Sequence, residues 1–312
     1  MSLKATRVAY GEWLVDAGGK YPELVAVDAD LSASTMTRGF ADAYPERFFN
    51  VGSAEQNLVS FSAGLAIGGK RVFTSSFAIF ETGRAWDQIR NVVSHDKLNV
   101  ALVASHGGFS CAADGASHQA LEDIAIMRVV PNMRVVMPCD PEETINILNA
   151  IMETSGPFYM RLRREKEPNV YKPYSLALGR GEVMRDGGDV TLVASGMMVL
   201  NCLRAAEILM ELGLDARVLN IHTIKPLDDG IIVKAAEETG VIVTVEEHQV
   251  AGGLGGAVCE VLAENYPVTV HRLGVHDTFG QSSRTMAELL DLHGLTPEKI
   301  AASAENVIKK SR

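Results

Sequence analysis

The sequence predicts two doubly wound α/β domains, and three observations predict them. Short apolar runs alternate with longer amphipathic ones along the chain, the pattern of strands separated by helices that cover a mostly parallel sheet. Several of the short runs are rich in Val, Ile, Leu and Phe without clean alternation, as strands covered on both faces require. A charged stretch with prolines and tyrosines, REKEPNVYKPYSLALGRGE at 164–182, interrupts this order once. A chain of 312 residues is long enough for a core on each side of the interruption. The expected domains are therefore 1–165 and 185–312, with 166–184 as linker.

In order, the first half carries strand candidates at 23–30, 47–52, 71–77, 99–108, 133–138 and 158–162. Helical patterns at 57–69, 83–95, 118–130 and 140–156 lie between them. The last has the clearest ends: Asp140 at the N-cap, Pro141 in the first turn, acids behind it and Gly156 as a stop. Beyond the interruption, strands are expected at 189–196, 216–224, 241–248 and 268–275. Helices are expected near 199–212, 229–239, 254–265, 283–292 and 296–309.

A net charge of −10 argues against nucleic acid or an anionic membrane surface as the partner. It does not exclude a phosphorylated small molecule, because a local Arg/His pocket overrides the global field. No apolar run approaches the length of a membrane span, and MSLKATR at the N-terminus lacks the apolar stretch of a signal peptide. Cys111, Cys139, Cys202 and Cys259 are widely spaced without a CxxC pair, which suits a reducing compartment. A cytoplasmic location is expected. The glycines of AGGLGGAVCE (251–260) do not spell GxGxxG, so they are read as close-packing residues rather than a dinucleotide fingerprint.

In open α/β sheets, ligands sit beyond the carboxyl ends of the strands. The residues there are chemically unusual: Asp30 and Ser34 after the first strand, Glu55 after the second, Phe77 and Phe80 after the third. After the fourth comes SHGGFSCAADGASHQALED (105–123), which sets His106, Asp114 and His118 among Gly, Ala and Ser. After the sixth comes the arginine cluster Arg161, Arg163 and Arg164. Each has a plainer alternative. Glu55 suits a helix start, the two phenylalanines suit a core, and the arginines suit a solvated strand end. The small residues around the histidines permit close approach of another molecule.

These residues carry a resemblance. ATRVAYGEWL, VDADLSAST, FFNVGSAEQNL, TSSFAIF, SHGGFSCAADGASHQALEDIAIMRVVPNMRVVMP and YMRLRR, in that order, are similar to the pyrimidine-binding domain of transketolases. IHTIKPLD, VEEHQVAGGLGGAVCE and GVHDTFGQS resemble the transketolase C-terminal domain. A full transketolase has a preceding domain that grips the diphosphate of thiamin diphosphate through a divalent metal, with a GDG…N motif. No GDG occurs here, so the chain resembles the C-terminal subunit of a split transketolase.

What this implies is specific. Glu55 matches the carboxylate that hydrogen-bonds the aminopyrimidine of thiamin diphosphate, and Phe77 and Phe80 match the aromatic wall against that ring. Asp30 matches an acid at the cofactor site. Arg7, Ser34, His106 and Arg164 match positions that hold a sugar phosphate. Asp114 would read a substrate hydroxyl, and His118 would assist proton movement at the reacting oxygen. The reaction would pass a two-carbon ketol unit from a ketose phosphate to an aldose phosphate. No metal ligands are expected on this chain; Mg2+ or a similar ion would be held by a diphosphate-binding, N-terminal partner subunit. A homodimer of this chain within an α2β2 assembly is expected. Two positions depart from the family pattern: Gly83 stands where an aromatic is frequent, and Arg163 where a small residue is usual. Three rivals remain: the β subunit of a 2-oxoacid dehydrogenase, a deoxyxylulose-phosphate synthase-like enzyme, and a catalytically silent scaffold. Joint presence of Glu55, His106, Asp114 and His118 counts against the scaffold, which needs none of them.

Overall fold

The apolar runs of the first half form six strands in a computed structural model, which describes residues 3–170 and 176–311. They are β1 (Leu24–Asp28), β2 (Phe48–Asn50), β3 (Arg71–Ser75), β4 (Val100–Ala104), β5 (Arg134–Val136) and β6 (Phe158–Arg161). The second half adds β7 (Glu182–Arg185), β8 (Val190–Ala194), β9 (Ala216–Asn220), β10 (Thr223–Lys225), β11 (Val241–Gln249) and β12 (Thr269–Val275). One sheet has the order β10-β5-β6-β4-β3-β1-β2 and the other β12-β11-β8-β9-β7. All pairings are parallel except β10 on β5 and β7 on β9.

Side chains alternate across a strand, so each central strand of the first sheet feeds two cores. Val25 and Val27 of β1 join Leu58 and Ile89 on one face. Leu24 and Ala26 join Tyr10, Trp13, Leu14 and Ile147 on the other. That second face is covered partly by the helix Thr6–Lys20, which was not expected from the sequence. Its apolar spacing, Tyr10, Trp13, Leu14 and Ala17, is helical, but Gly18 and Gly19 in the last turn weaken the local propensity. Packing supplies what propensity lacks: Trp13 is buried and donates its indole N–H to Asn149 at 2.8 Å. Asn149 belongs to the helix Pro141–Glu153, where Asp140 caps as expected by accepting from the Glu142 and Glu143 amides at 2.9 Å.

Other boundaries moved for tertiary reasons. The expected strand 216–224 divides: β9 ends at Asn220 and β10 crosses to the edge of the first sheet, with Thr223 opposite Val136. A backbone bond from the Met137 amide to the His222 carbonyl, 2.8 Å, anchors that crossing. Local pattern does not tell which sheet an apolar run joins. The expected strand 71–77 stops at Ser75, and the chain turns into the helix Ala78–Arg84 with Phe77 at its N-cap. The expected helix 118–130 shrinks to Asp123–Arg128. Of the expected linker 166–184, residues 171–175 lie outside the described residues, and its last three enter β7. Near its start, the Glu167 backbone pairs with Lys4. Among the described residues no helix is long and apolar enough to cross a membrane.

Candidate functional site

Seven of the residues singled out above meet at one opening. A cavity of about 380 Å3 is lined by Arg7, Ser34, Phe77, His106, Asp114, His118 and Arg164, with Ala33. Four strand ends and one helix deliver them. Arg7 rises from the first turn of Thr6–Lys20 and donates to the Ser34 carbonyl at 2.6 Å. Ser34 is held by a loop wrapped around the buried end of β1. Asp28 accepts there from the Leu31 amide at 2.6 Å and from the hydroxyls of Thr35 and Thr37 at 2.7 and 3.0 Å.

The ring systems make the wall. Phe77 and Phe80 stack at 5.9 Å between centroids, 19° apart. The His106 ring lies 3.8 Å from Phe77, and the His118 ring meets Phe80 edge-on at 5.1 Å. His106 is buried and left-handed, with φ 63°. Burial, then the charges of Arg7 and Arg164, lowers its pKa from 6.5 to about 3. It is therefore a neutral hydrogen-bonding group at ordinary pH, and Nδ1 shares a 2.8 Å bond with the Ser105 hydroxyl. Burial, followed by the charge of Arg164, also lowers the pKa of Arg7. Its Nε is buried without a partner. Opposite stands Arg164, half-exposed, 3.3 Å from the Asp114 carboxylate. Two guanidinium groups around a small cavity suit an anionic group such as a phosphate. A larger cavity of about 580 Å3 lies at Glu122, Gln249, His276, Asp277 and Phe279. It has two acids and no arginine or lysine in its lining, so it lacks the cationic donors such a ligand needs.

Glu55 opens the helix Glu55–Ile67 and is buried, 3.0 Å from Arg84. The Arg84 guanidinium lies 5.1 Å from the Phe80 ring centroid. Behind Phe77 and Phe80, Glu81 is fully buried and accepts from the Thr74 hydroxyl. Burial pushes its pKa from 4.5 up to about 8. The sequence reading missed both Glu81 and Arg84. The available signal was helical spacing, since 77, 80, 81 and 84 share one face.

Asp30 lies outside the cavity lining; it is exposed, with φ 66°, and accepts from the Asn50 side chain at 3.0 Å. Two expectations are corrected. Arg161 and Arg163 are not rim residues. Both are almost fully buried between the two sheets: Arg161 contacts Asp123 at 3.3 Å, and Arg163 contacts Glu247 at 3.4 Å and Glu167. The small residues at 107, 108 and 115 do not leave room for a ligand either. A Cβ on Gly107 would collide with Arg161, one on Gly108 with Glu247, and one on Gly115 with Ser282. Gly108 and Gly115 closely approach the chain's own second half, and Gly107 approaches Arg161 at the end of β6. Glu247 completes the link by accepting from the Phe109 amide at 2.6 Å.

Known proteins resemble the chain over nearly its whole length. The transketolase pyrimidine-binding domain family matches residues 3–169, and the transketolase C-terminal domain family matches 179–300. A Methanocaldococcus jannaschii protein described as a transketolase C-terminal section is 48% identical over 98% of this chain and 97% of its own length. A subunit of a 6-deoxy-6-sulfo-D-fructose transketolase from Clostridium is 39% identical over 97% of this chain and 94% of its own. A solved split-gene transketolase, described as an inactive β4 tetramer, superposes with a TM-score of 0.91 at 47% identity, covering 99% of both chains. The chain belongs to the transketolase family, of which it carries the pyrimidine-binding and C-terminal domains.

Proposed function

We propose that this chain is the C-terminal subunit of a two-chain transketolase that depends on thiamin diphosphate. Such an enzyme moves a two-carbon ketol unit from a ketose phosphate to an aldose phosphate. The observation that carries the proposal is the single cavity joining Arg7, Ser34, His106, Asp114, His118 and Arg164 to the Phe77 wall. The residues beside it fit an aminopyrimidine. Phe77 and Phe80 offer a stacked aromatic surface, and Glu55 offers a buried carboxylate as acceptor. Among the described residues no group of three or more His, Cys, Asp or Glu is arranged for a metal ion. The diphosphate and its divalent ion are assigned to a separate N-terminal partner subunit. A relative described as a split-gene transketolase in an inactive β4 tetramer supports that division. A homodimer of this chain inside an α2β2 assembly completes the proposal.

When bound, the cofactor would supply the nucleophilic carbon that two-carbon transfer requires. The chain's residues do the rest. Glu55 would hydrogen-bond the ring nitrogen and hold or release a proton there, and Phe77 and Phe80 would pack against the ring. Asp30 remains assigned to the cofactor side of the opening. Arg7 and Arg164 fork the substrate phosphate from two sides, helped by Ser34. Neutral His106 bonds a hydroxyl without adding charge to a site that already holds two guanidinium groups. Asp114 accepts from a second hydroxyl, and His118 moves a proton at the reacting oxygen.

The test is reconstitution. The chain is co-expressed with a GDG-bearing partner and supplied with thiamin diphosphate and Mg2+. Transfer from a ketose phosphate to an aldose phosphate is followed, with Glu55→Ala as control. Transfer that disappears in the control supports the proposal. Carbon dioxide release from a 2-oxoacid in place of transfer overturns it in favour of a dehydrogenase β subunit. Full turnover by this chain alone overturns the two-chain requirement.

A further inference from the structure

Arg84 and Glu55 form a lopsided pair. The carboxylate side chain is 3% exposed and the arginine side chain 56% exposed, with 3.0 Å between Nη1 and Oε2. The same guanidinium lies over Phe80, its carbon 5.1 Å from the ring centroid. Helical spacing from Phe77 and Phe80 places Arg84 on the face that carries the aromatic wall. At its neighbour Gly83, a Cβ would meet nothing within 4 Å. The space at that position is therefore open.

A guanidinium and an aminopyrimidine share three properties: both are planar, both donate N–H groups to a carboxylate, and both stack on an aromatic face. Arg84 contacts the two side chains, Glu55 and Phe80, that the proposed function assigns to the pyrimidine. We infer that Arg84 is a placeholder in the pyrimidine subsite, pairing with Glu55 in the cofactor-free chain and displaced when the cofactor's ring docks. This rests on the assignment of Glu55 and Phe80 as cofactor contacts. The pair gives the buried carboxylate a charge partner before assembly, since an unpaired buried charge is strongly unfavourable. Because the arginine is more than half exposed, its departure opens no hole in the core. The consequence is competition: whatever population has Arg84 on Glu55 cannot bind the ring, and apparent cofactor affinity falls accordingly.

Two measurements test this, neither of which is turnover. In the full chain alone, a double-mutant cycle of Arg84→Met and Glu55→Gln is read from urea unfolding. Coupling between the two positions is expected; additive effects overturn the placeholder. In the chain assembled with its partner and Mg2+, thiamin diphosphate is titrated by tryptophan fluorescence, Trp86 standing two residues from Arg84. Arg84→Met is expected to bind the cofactor roughly 5-fold tighter, the scale of one half-exposed ion pair. Unchanged or weaker binding overturns the inference, because Arg84 then stays in place beside the ring. Arg84→Lys, which keeps the charge but not the planar fork, serves if the methionine variant does not fold, and is expected to tighten binding by a smaller factor. The underlying assignment fails separately: a Glu55→Gln complex with unaltered cofactor binding and transfer would remove Glu55 from the site whatever Arg84 does.

Discussion

Arg163 and Arg164 are adjacent in the chain and identical in chemistry, yet they live in two different regions. Arg163 is sealed between the sheets against Glu247 and Glu167. Arg164 is half-exposed at the mouth of the cavity, opposite Asp114. In the first region charge is buried and holds the halves of the molecule in register, with Glu247 reaching across to the Phe109 amide of the site loop. In the second, charge is open to water and to a ligand. The difference teaches that a basic cluster in a sequence names no role. Burial and the nearest carboxylate assign it.

The largest effect expected anywhere in the molecule separates the site from its scaffold. Glu55→Ala should lower two-carbon transfer in the reconstituted enzyme by at least ~100-fold, the scale of a proton-transfer group. The complex should still assemble by size-exclusion chromatography. Less than a few-fold loss would detach Glu55 from the chemistry.

Next comes the buried region. Glu247→Ala leaves Arg163 with one acid fewer and the Phe109 amide without its acceptor. Such a truncation should cost about 3–5 kcal/mol in urea unfolding. A cost below about 1 kcal/mol would make this network as expendable as a surface pair.

On the open side, Arg164→Ala should raise KM for the sugar phosphate about 10–100-fold, one charged hydrogen-bonding group's worth. Its urea midpoint should stay near that of the parent chain. If stability falls instead and KM holds, Arg164 belongs with Arg163 as a strut.

The smallest expected effects are pH slopes. The folded pKa of His106, about 3, lies below the ordinary 6.5. The unfolded chain therefore takes up that proton first, and stability falls as pH drops from about 6.5 towards 3. Glu81 works the other way. Its folded pKa near 8 lies above the ordinary 4.5, so its contribution is complete below pH 4.5 and is lost as pH rises through 8. His106→Asn should flatten the acid limb of a stability–pH curve, and Glu81→Gln the alkaline limb. Parallel curves for parent and variants would contradict both.

Much of the site was legible because strand ends in a parallel sheet point one way. His106, Asp114, His118 and Arg164 could be gathered from position alone. Asp30 could not be separated from its neighbours. Its backbone turns left-handed at φ 66° and hands it to Asn50, a conformation that residue type permits but does not dictate. The glycines at 107 and 108 announced close approach without saying to what. Helix Thr6–Lys20 escaped notice because its terminal glycines masked a pattern that burial of Trp13 makes stable.

By itself the sequence determined the alternation of strands and helices, the cap at Asp140 and the chemistry of the strand ends. These are set by residue periodicity and by local hydrogen-bonding groups, which neighbours in the chain largely decide. Only the tertiary structure decided that β10 joins the first sheet, that Arg163 is a strut while Arg164 faces the cavity, and that Arg84 sits on Glu55. Those outcomes depend on which distant group fills a space or satisfies a buried charge. Residues far apart in the chain, such as Arg163 and Glu247, become partners only when both sheets are packed.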